Sequence, residues 1–193
     1  MRAWFNRLRR RVVRLLLYRI VFGERWQGRA LPHTRISPAA CIEHEERLAL
    51  GDHVFIGPFN FIEASGSITM GEGVQITSHV SIVTHSSHRA MRLLGTQFVE
   101  WPADHETTRP GWIAGPVQIG AWSFIGPHSL IEANTRLGRG TIVCAGSFVR
   151  GEFPDFAVLD GRPARVVGDS RQADERLLAR HPELRAHYAA WAQ

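Results

Sequence analysis

Between Ile36 and Val149, aliphatic residues return every six positions, a period that neither a helix nor an ordinary strand produces. The second half is the cleaner. Ile119, Ile125, Ile131, Leu137, Val143 and Val149 hold the register without a break, and the fourth residue after each of the first five is small: Ser123, Ser129, Thr135, Thr141 and Ser147. The first half reads Ile36, Ile42, Leu50, Ile56, Ile62, Met70, Ile76 and Ile82, with two steps of eight. Those long steps, Ile42 to Leu50 and Ile62 to Met70, start 20 residues apart, which is three hexads plus a two-residue insertion. Both insertions therefore fall at the same corner of successive coils.

A six-residue unit is one short strand and a tight turn, and three units close a triangular coil of about 18 residues. The aliphatic residue fills the interior, the small one fits a corner, and each coil stacks on the next as parallel sheet. Gly57, Gly71, Gly120, Gly126 and Gly138 stand near corners, where a positive φ or a close backbone approach would require them. An ordinary sandwich would alternate with irregular spacing instead. The pattern predicts an all-β solenoid, a parallel β-helix of about five coils.

The repeat stops between Ile82 and Val117, where 34 residues (83–116) leave the coil as a loop excursion. A loop that long within a compact repeat is functional or disordered as a rule. Its start is dense in chemistry, with His85 and His88 followed by Arg89 and Arg92. Trp101 and Trp112 lie further along, able to face a sugar ring or to pin the excursion to its neighbour.

The units IGAWSF, IGPHSL and IEANTR each carry an aliphatic residue, then Gly or an acid, two variable residues and a small one. They resemble the hexapeptide-repeat acyltransferases with a left-handed parallel β-helix. The resemblance covers roughly residues 36–168 and ends in GRPARVVG, similar to the GxPAKxI ending of the galactoside, maltose and xenobiotic acetyltransferase branch. The left hand, an exception to the right-handed crossover rule, is implied by the resemblance and not by the period. So are acetyl-CoA as co-substrate, the lack of a metal, and a homotrimer with its active site between two chains.

Acetyl transfer from a thioester to a sugar hydroxyl needs a base, and histidine, with an ordinary pKa of about 6.5, can take the proton and return it to the leaving thiolate. Laid over the family's loop, THSSHRAMR (84–92) puts that base on His85, through its spacing to His88 and Arg92. Counted from Ile82, the last interior residue, the base falls nearer His88. The resemblance also assigns Ala145, Gly146 and Ser147 to the stretch whose backbone meets the pantetheine arm, and Arg165 to the nucleotide phosphates, which a guanidinium can bind bidentately. Asn60, Arg92 and Trp112 fall to the acceptor, although Asn60 also reads as an asparagine that stacks at a corner. Pro127 stands where relatives often carry serine, so one backbone donor is missing.

The function so implied is an acetyl-CoA-dependent O-acetyltransferase acting on a saccharide or sugar-lipid hydroxyl in bacterial surface glycan synthesis: lipopolysaccharide, capsule or exopolysaccharide. Three alternatives stand beside it: N-acetylation of an amino sugar, a zinc enzyme like the γ-carbonic anhydrases, and a non-catalytic scaffold. For zinc, the coils of the second half offer His128 without the paired His-x4-His such a site needs.

All 23 basic residues are arginine, against 18 acids. Residues 1–29 hold nine arginines and only Glu24, so the body (30–193) is slightly acidic and nucleic acid is not a favoured partner. Within 1–29 a helix would set Arg7, Arg10, Arg11 and Arg14 on one side and Phe5, Leu8, Val12, Leu15 and Leu16 on the other, with Arg9 and Arg19 breaking the pattern. The apolar run Val12–Phe22 is too short for a membrane span and, interrupted by Arg14 and Arg19, too broken for a secretory signal. Such a helix either lies among anionic headgroups as a peripheral membrane contact or packs its apolar face on the protein. Cys41 and Cys144 are 103 residues apart without a CxxC pair, which fits a reducing cytoplasm. The chain thus divides into a basic amphipathic helical segment (1–29), a β-helix domain (30–168) and a C-terminal helical tail (169–193). Asp169 or Ser170 would cap that tail, which is expected to pack on the coils or on a neighbouring subunit.

Overall fold

The structure, a computed structural model, describes residues 2–102 and 108–192. Three parallel sheets form the faces of a left-handed triangular β-helix of five coils. The first face stacks Arg35–Ile36, Phe55–Ile56, Gln75–Ile76, Phe124–Ile125 and Ile142–Val143. The second stacks Cys41–Glu43, Phe61–Glu63, Ser81–Val83, Leu130–Ile131 and Phe148–Val149. The third stacks Leu48–Leu50, Ile68–Met70, Val117–Ile119, Thr135–Leu137 and Glu152–Phe153. The predicted register is the observed one: Ile56 pairs with Ile76, Ile62 with Ile82, Ile82 with Ile131 and Ile119 with Leu137.

Each interior position contributes one aliphatic side chain, and from Ile56 to Val149 these are buried. At about 1.5–3 kcal/mol for each fully buried Leu, Ile or Val, this column is the main source of stability. The small residues Ser123, Ser129, Thr135, Thr141 and Ser147 are buried as well. Size is only part of their role. Ser123 Oγ donates to the Gly138 carbonyl at 3.1 Å and Ser129 Oγ to that of Cys144 at 3.1 Å, satisfying turn carbonyls that the sheets leave over.

The corner glycines of the hexads owe their place to close approach, not to backbone conformation. A Cβ on Gly57 would lie 2.4 Å from the Thr77 carbonyl oxygen, and one on Gly120 2.3 Å from the Arg139 nitrogen. Positive φ falls instead on larger residues at the turns, among them His53, Phe59, His79, Trp122, His128 and Asn134. Their rings form ladders up the corners, as His79 on His128 shows at 4.9 Å between centroids.

Both two-residue insertions lie at the corner between the second and third faces, and the excursion leaves the third coil at that same corner. It is not an irregular loop. His85–Ser86 and Ile113–Ala114 pair antiparallel as its foot, and two helices, α2 (His88–Leu94) and α3 (Gln97–Glu100), build its arm.

The flanks differ from the sequence boundaries. Helix α1 spans Arg2–Val13 and runs into a π-helical turn at Arg14–Tyr18, so the helical segment ends well before residue 29. A hairpin of Glu24–Trp26 and Arg29–Leu31 belongs to the body: Trp26 packs against the core and its Nε1 donates to the Leu48 carbonyl at 2.6 Å. At the far end Ala157–Gly161 and Ala164–Asp169 form an antiparallel hairpin on the first face. Helix α4 (Ser170–Arg180) follows, capped by Asp169, whose side chain accepts from the Arg171 amide. Helix α5 (Arg185–Ala192) returns to the coils through Trp191, which lies against Trp122 and Phe156.

Gly57→Ala is expected to destabilise the fold by about 1–3 kcal/mol, because the clash is with backbone that cannot rotate away. A lowered midpoint in denaturant titration checks this.

Candidate active site at the corner of the excursion

The site is built where the second coil's insertion meets the root of the excursion. Glu63 ends a second-face strand and is buried, only 3% exposed. A charge there is tolerable only with several hydrogen bonds. Glu63 Oε1 accepts the Ser65 amide at 2.7 Å, and Oε2 accepts the Thr84 amide at 3.1 Å and the Thr84 hydroxyl at 2.8 Å. Burial pushes the carboxyl up, but the bonds from Ser65 and Thr84 outweigh it and hold the pKa down at about 2.

His85 Nδ1 lies 2.8 Å from Glu63 Oε2 and 3.0 Å from Ser65 Oγ. An ionised carboxylate can only accept, so the pair assigns the hydrogen to Nδ1 and leaves Nε2 as the basic nitrogen. Trp112 stacks on the imidazole at 4.7 Å and 11°, and the Arg109 guanidinium sits 5.5 Å from the Trp112 ring. The histidine is thereby fixed in tautomer by a carboxylate and in plane by an indole. A cavity of about 40 Å³ adjoins it, lined by His85, Ser86, His88, Ile113 and, from the next two coils in turn, Glu132 and Arg150. That is room for one water or one hydroxyl-bearing carbon.

The other sequence candidates divide. His88 opens α2, is exposed, and pairs Nδ1 with Ser86 Oγ at 2.7 Å; among the described residues no carboxylate is seen to back it. Arg92 is exposed one turn further along α2. Asn60 leaves the acceptor set: it is 2% exposed, its Nδ2 donates to the carbonyls of Gly57 and Thr77, and its Oδ1 accepts the Val80 amide. It is a corner brace with its amide in use. Trp112 serves the imidazole face, not an open platform.

Ala145, Gly146 and Ser147 turn the corner between the first and second faces on the fifth coil. Ala145 is exposed there, but Ser147 is buried with its hydroxyl given to the Cys144 carbonyl, and the Gly146 amide is given to the Pro127 carbonyl. Only part of that stretch can meet a ligand. Arg165 is exposed on the last strand, and Arg162, which the sequence did not single out, reaches the Gly146 carbonyl with Nε at 2.7 Å. His85 and this basic corner stand at opposite ends of the second face.

Glu63 was missed too. Its signal was available, since the two-residue insertion after Ile62 marks the corner the excursion later uses. Among the described residues, the one group of three metal-capable side chains is His33, Asp52 and His53, at the corner between the third and first faces. Its two imidazoles are stacked at 4.4 Å and 6°, so their lone pairs run parallel and do not converge. The His79 and His128 rings stack in the same manner.

No family model matches the chain. It is 30% identical over 146 residues to "Probable acetyltransferase Rv3034c" of Mycobacterium tuberculosis, an alignment covering 76% of this chain and 45% of that protein. It is 28% identical to "Putative lipopolysaccharide biosynthesis O-acetyl transferase WbbJ" of Escherichia coli, over 60% of this chain and 57% of the other. The chain thus spans about half the length of these relatives. Among solved structures, the hexapeptide-repeat acetyltransferase VCA0836 of Vibrio cholerae, complexed with acetyl coenzyme A, superposes with a TM-score of 0.59 at 24% identity, over 70% of this chain and 67% of that one. Hexads, coil and relatives together define a left-handed β-helix protein of hexapeptide-repeat type. The relatives it matches are acetyltransferases of the hexapeptide-repeat family, and the chain shares their fold.

Because its pKa is depressed from an ordinary 4.5 to about 2, Glu63 contributes stability that is complete above pH 4.5 and is lost as pH falls towards 2. In a series of denaturant midpoints against pH, Glu63→Gln is expected to shrink that acid-side loss.

Proposed function

We propose that the protein transfers the acetyl group of acetyl-CoA to a hydroxyl of a saccharide or sugar-lipid used in bacterial surface glycans. The observation that carries this is the Glu63–His85 pair: a buried, ionised carboxylate behind an imidazole whose other nitrogen is left basic. His85 Nε2 takes the proton of the acceptor hydroxyl as its oxygen bonds to the thioester carbon. When the tetrahedral intermediate collapses, the C–S bond breaks and the thiolate receives that proton. Glu63 stabilises the imidazolium between the two steps. The name of WbbJ, an O-acetyl transferase of lipopolysaccharide biosynthesis, favours oxygen and glycan over the amine acceptor.

His85 is preferred over His88 as the base because, of the two, it is His85 that has a carboxylate among the described residues to hold its tautomer. Arg162 and Arg165 would meet the phosphates of CoA, and the exposed backbone at Ala145 its pantetheine arm. Base and basic corner lie at opposite ends of one face, which supports a homotrimer in which one chain's His85 works beside a neighbour's CoA corner.

The test is release of free CoA from acetyl-CoA over a panel of sugars and sugar nucleotides. His85→Ala is expected to lower kcat by about 10²–10⁴-fold, a general-base contribution, and His88→Ala by much less. Equal losses would refute the assignment. Glu63→Gln is expected to lower kcat with KM little changed, since the imidazole loses the carboxylate that holds its tautomer. Sedimentation should give a trimer, with any dissociated monomer inactive.

A further inference from the structure

Helix α1 and the π-turn after it contain no buried residue. Yet Trp4, Phe5, Leu8, Val12, Leu15 and Leu16 are 41–68% exposed. Of the two partners the sequence allowed for this apolar face, the chain's own body is therefore not the one found. Contact with the body falls at the end of the segment, where Tyr18 meets the edge of Phe59 at 5.6 Å and, four residues on, Phe22 lies under the Arg35 guanidinium at 4.7 Å. The helix is held at its exit, while no side chain of its apolar face is buried by the described residues.

Charge identifies what covers that face. Residues 2–22 carry seven arginines and no acid. Arg7, Arg10, Arg11 and Arg14 lie away from the apolar side, and Arg9 borders it on the other flank. A second copy of α1 would set arginine against arginine. The headgroup region of an anionic bilayer offers an apolar layer for Trp4, Phe5, Leu8 and Leu15 and phosphates for the guanidiniums, whose stems can reach outwards from a half-sunk helix. Trp4 and Tyr18 are also the residue types that settle at such an interface. The helix is not built to go deeper: among the described residues no helix is long and apolar enough to cross a membrane.

We propose that α1 and its π-turn dock the protein on the surface of an anionic lipid bilayer, apolar face inwards. The docking does not depend on what the His85 corner transfers. Full-length protein is floated with vesicles of phosphatidylcholine alone or mixed with phosphatidylglycerol. At low salt the mixed vesicles are expected to carry at least about tenfold more protein, since each arginine near an anionic surface contributes about 1 kcal/mol. A quadruple variant, Arg7→Gln, Arg10→Gln, Arg11→Gln and Arg14→Gln, should lose that preference. A triple variant, Phe5→Ser, Leu8→Ser and Leu15→Ser, should lose flotation while keeping the wild-type circular dichroism and sedimentation coefficient, because none of the three side chains is buried. Equal partitioning to both vesicles, or flotation by the triple variant like the wild type, overturns the proposal. So does a triple variant that still floats but sediments as a smaller species, which would give the face to a neighbouring copy.

Discussion

Everything in this molecule depends on backbone hydrogen bonding between coils about 4.8 Å apart. That spacing leaves room for one aliphatic side chain per strand inside the triangle and, at certain corner positions, for no side chain at all. The hexad is the sequence record of both demands. It also explains how 34 residues can leave the coil without breaking it: Ile82 and Ile131 are 49 positions apart in the chain and adjacent in the second face. A solenoid needs only nearest-neighbour contacts, so an arm added at a corner costs the sheet nothing.

The corner between the second and third faces is where this freedom is used. The first coil widens there by two residues, turning through His44 at φ 59°. The second coil widens by two and places Glu63 inward of Ser65. The third opens into the excursion. Without the second coil's widening the Ser65 amide would not turn back on Glu63, and without Thr84 at the root of the excursion the carboxylate would lack half its donors. The same Thr84 hydroxyl accepts the Gly66 amide at 2.7 Å and so joins the two coils beneath the histidine. The imidazole takes its tautomer from Glu63 on the second coil and its plane from Trp112 at the foot of the excursion, both outside the arm of short helices.

The two ends of the chain make an instructive contrast. Both are amphipathic in sequence. The tail finds its partner within the molecule: Leu178 is buried, and Trp191 meets Trp122 and Phe156. The first helix has no buried residue among those described. Periodicity says which side of a helix is apolar but not what that side will meet.

The sequence by itself determined the coil number, the register of every face and the corner that takes the insertions, because each follows from local spacing. It held two histidines open, with His85 ahead of His88 by resemblance alone, and could not show the carboxylate beside His85, since Glu63 precedes it by 22 positions and becomes its neighbour only when the second coil lies under the third. It could not see that the Asn60 amide is consumed by Gly57, Thr77 and Val80, or that the hydroxyl of Ser147 turns inward, because both depend on which carbonyls the adjoining coils and turns leave unpaired. Spacing along one strand is a property of the chain. Contact between strands, and the pKa and tautomer that come with it, belongs to the stack.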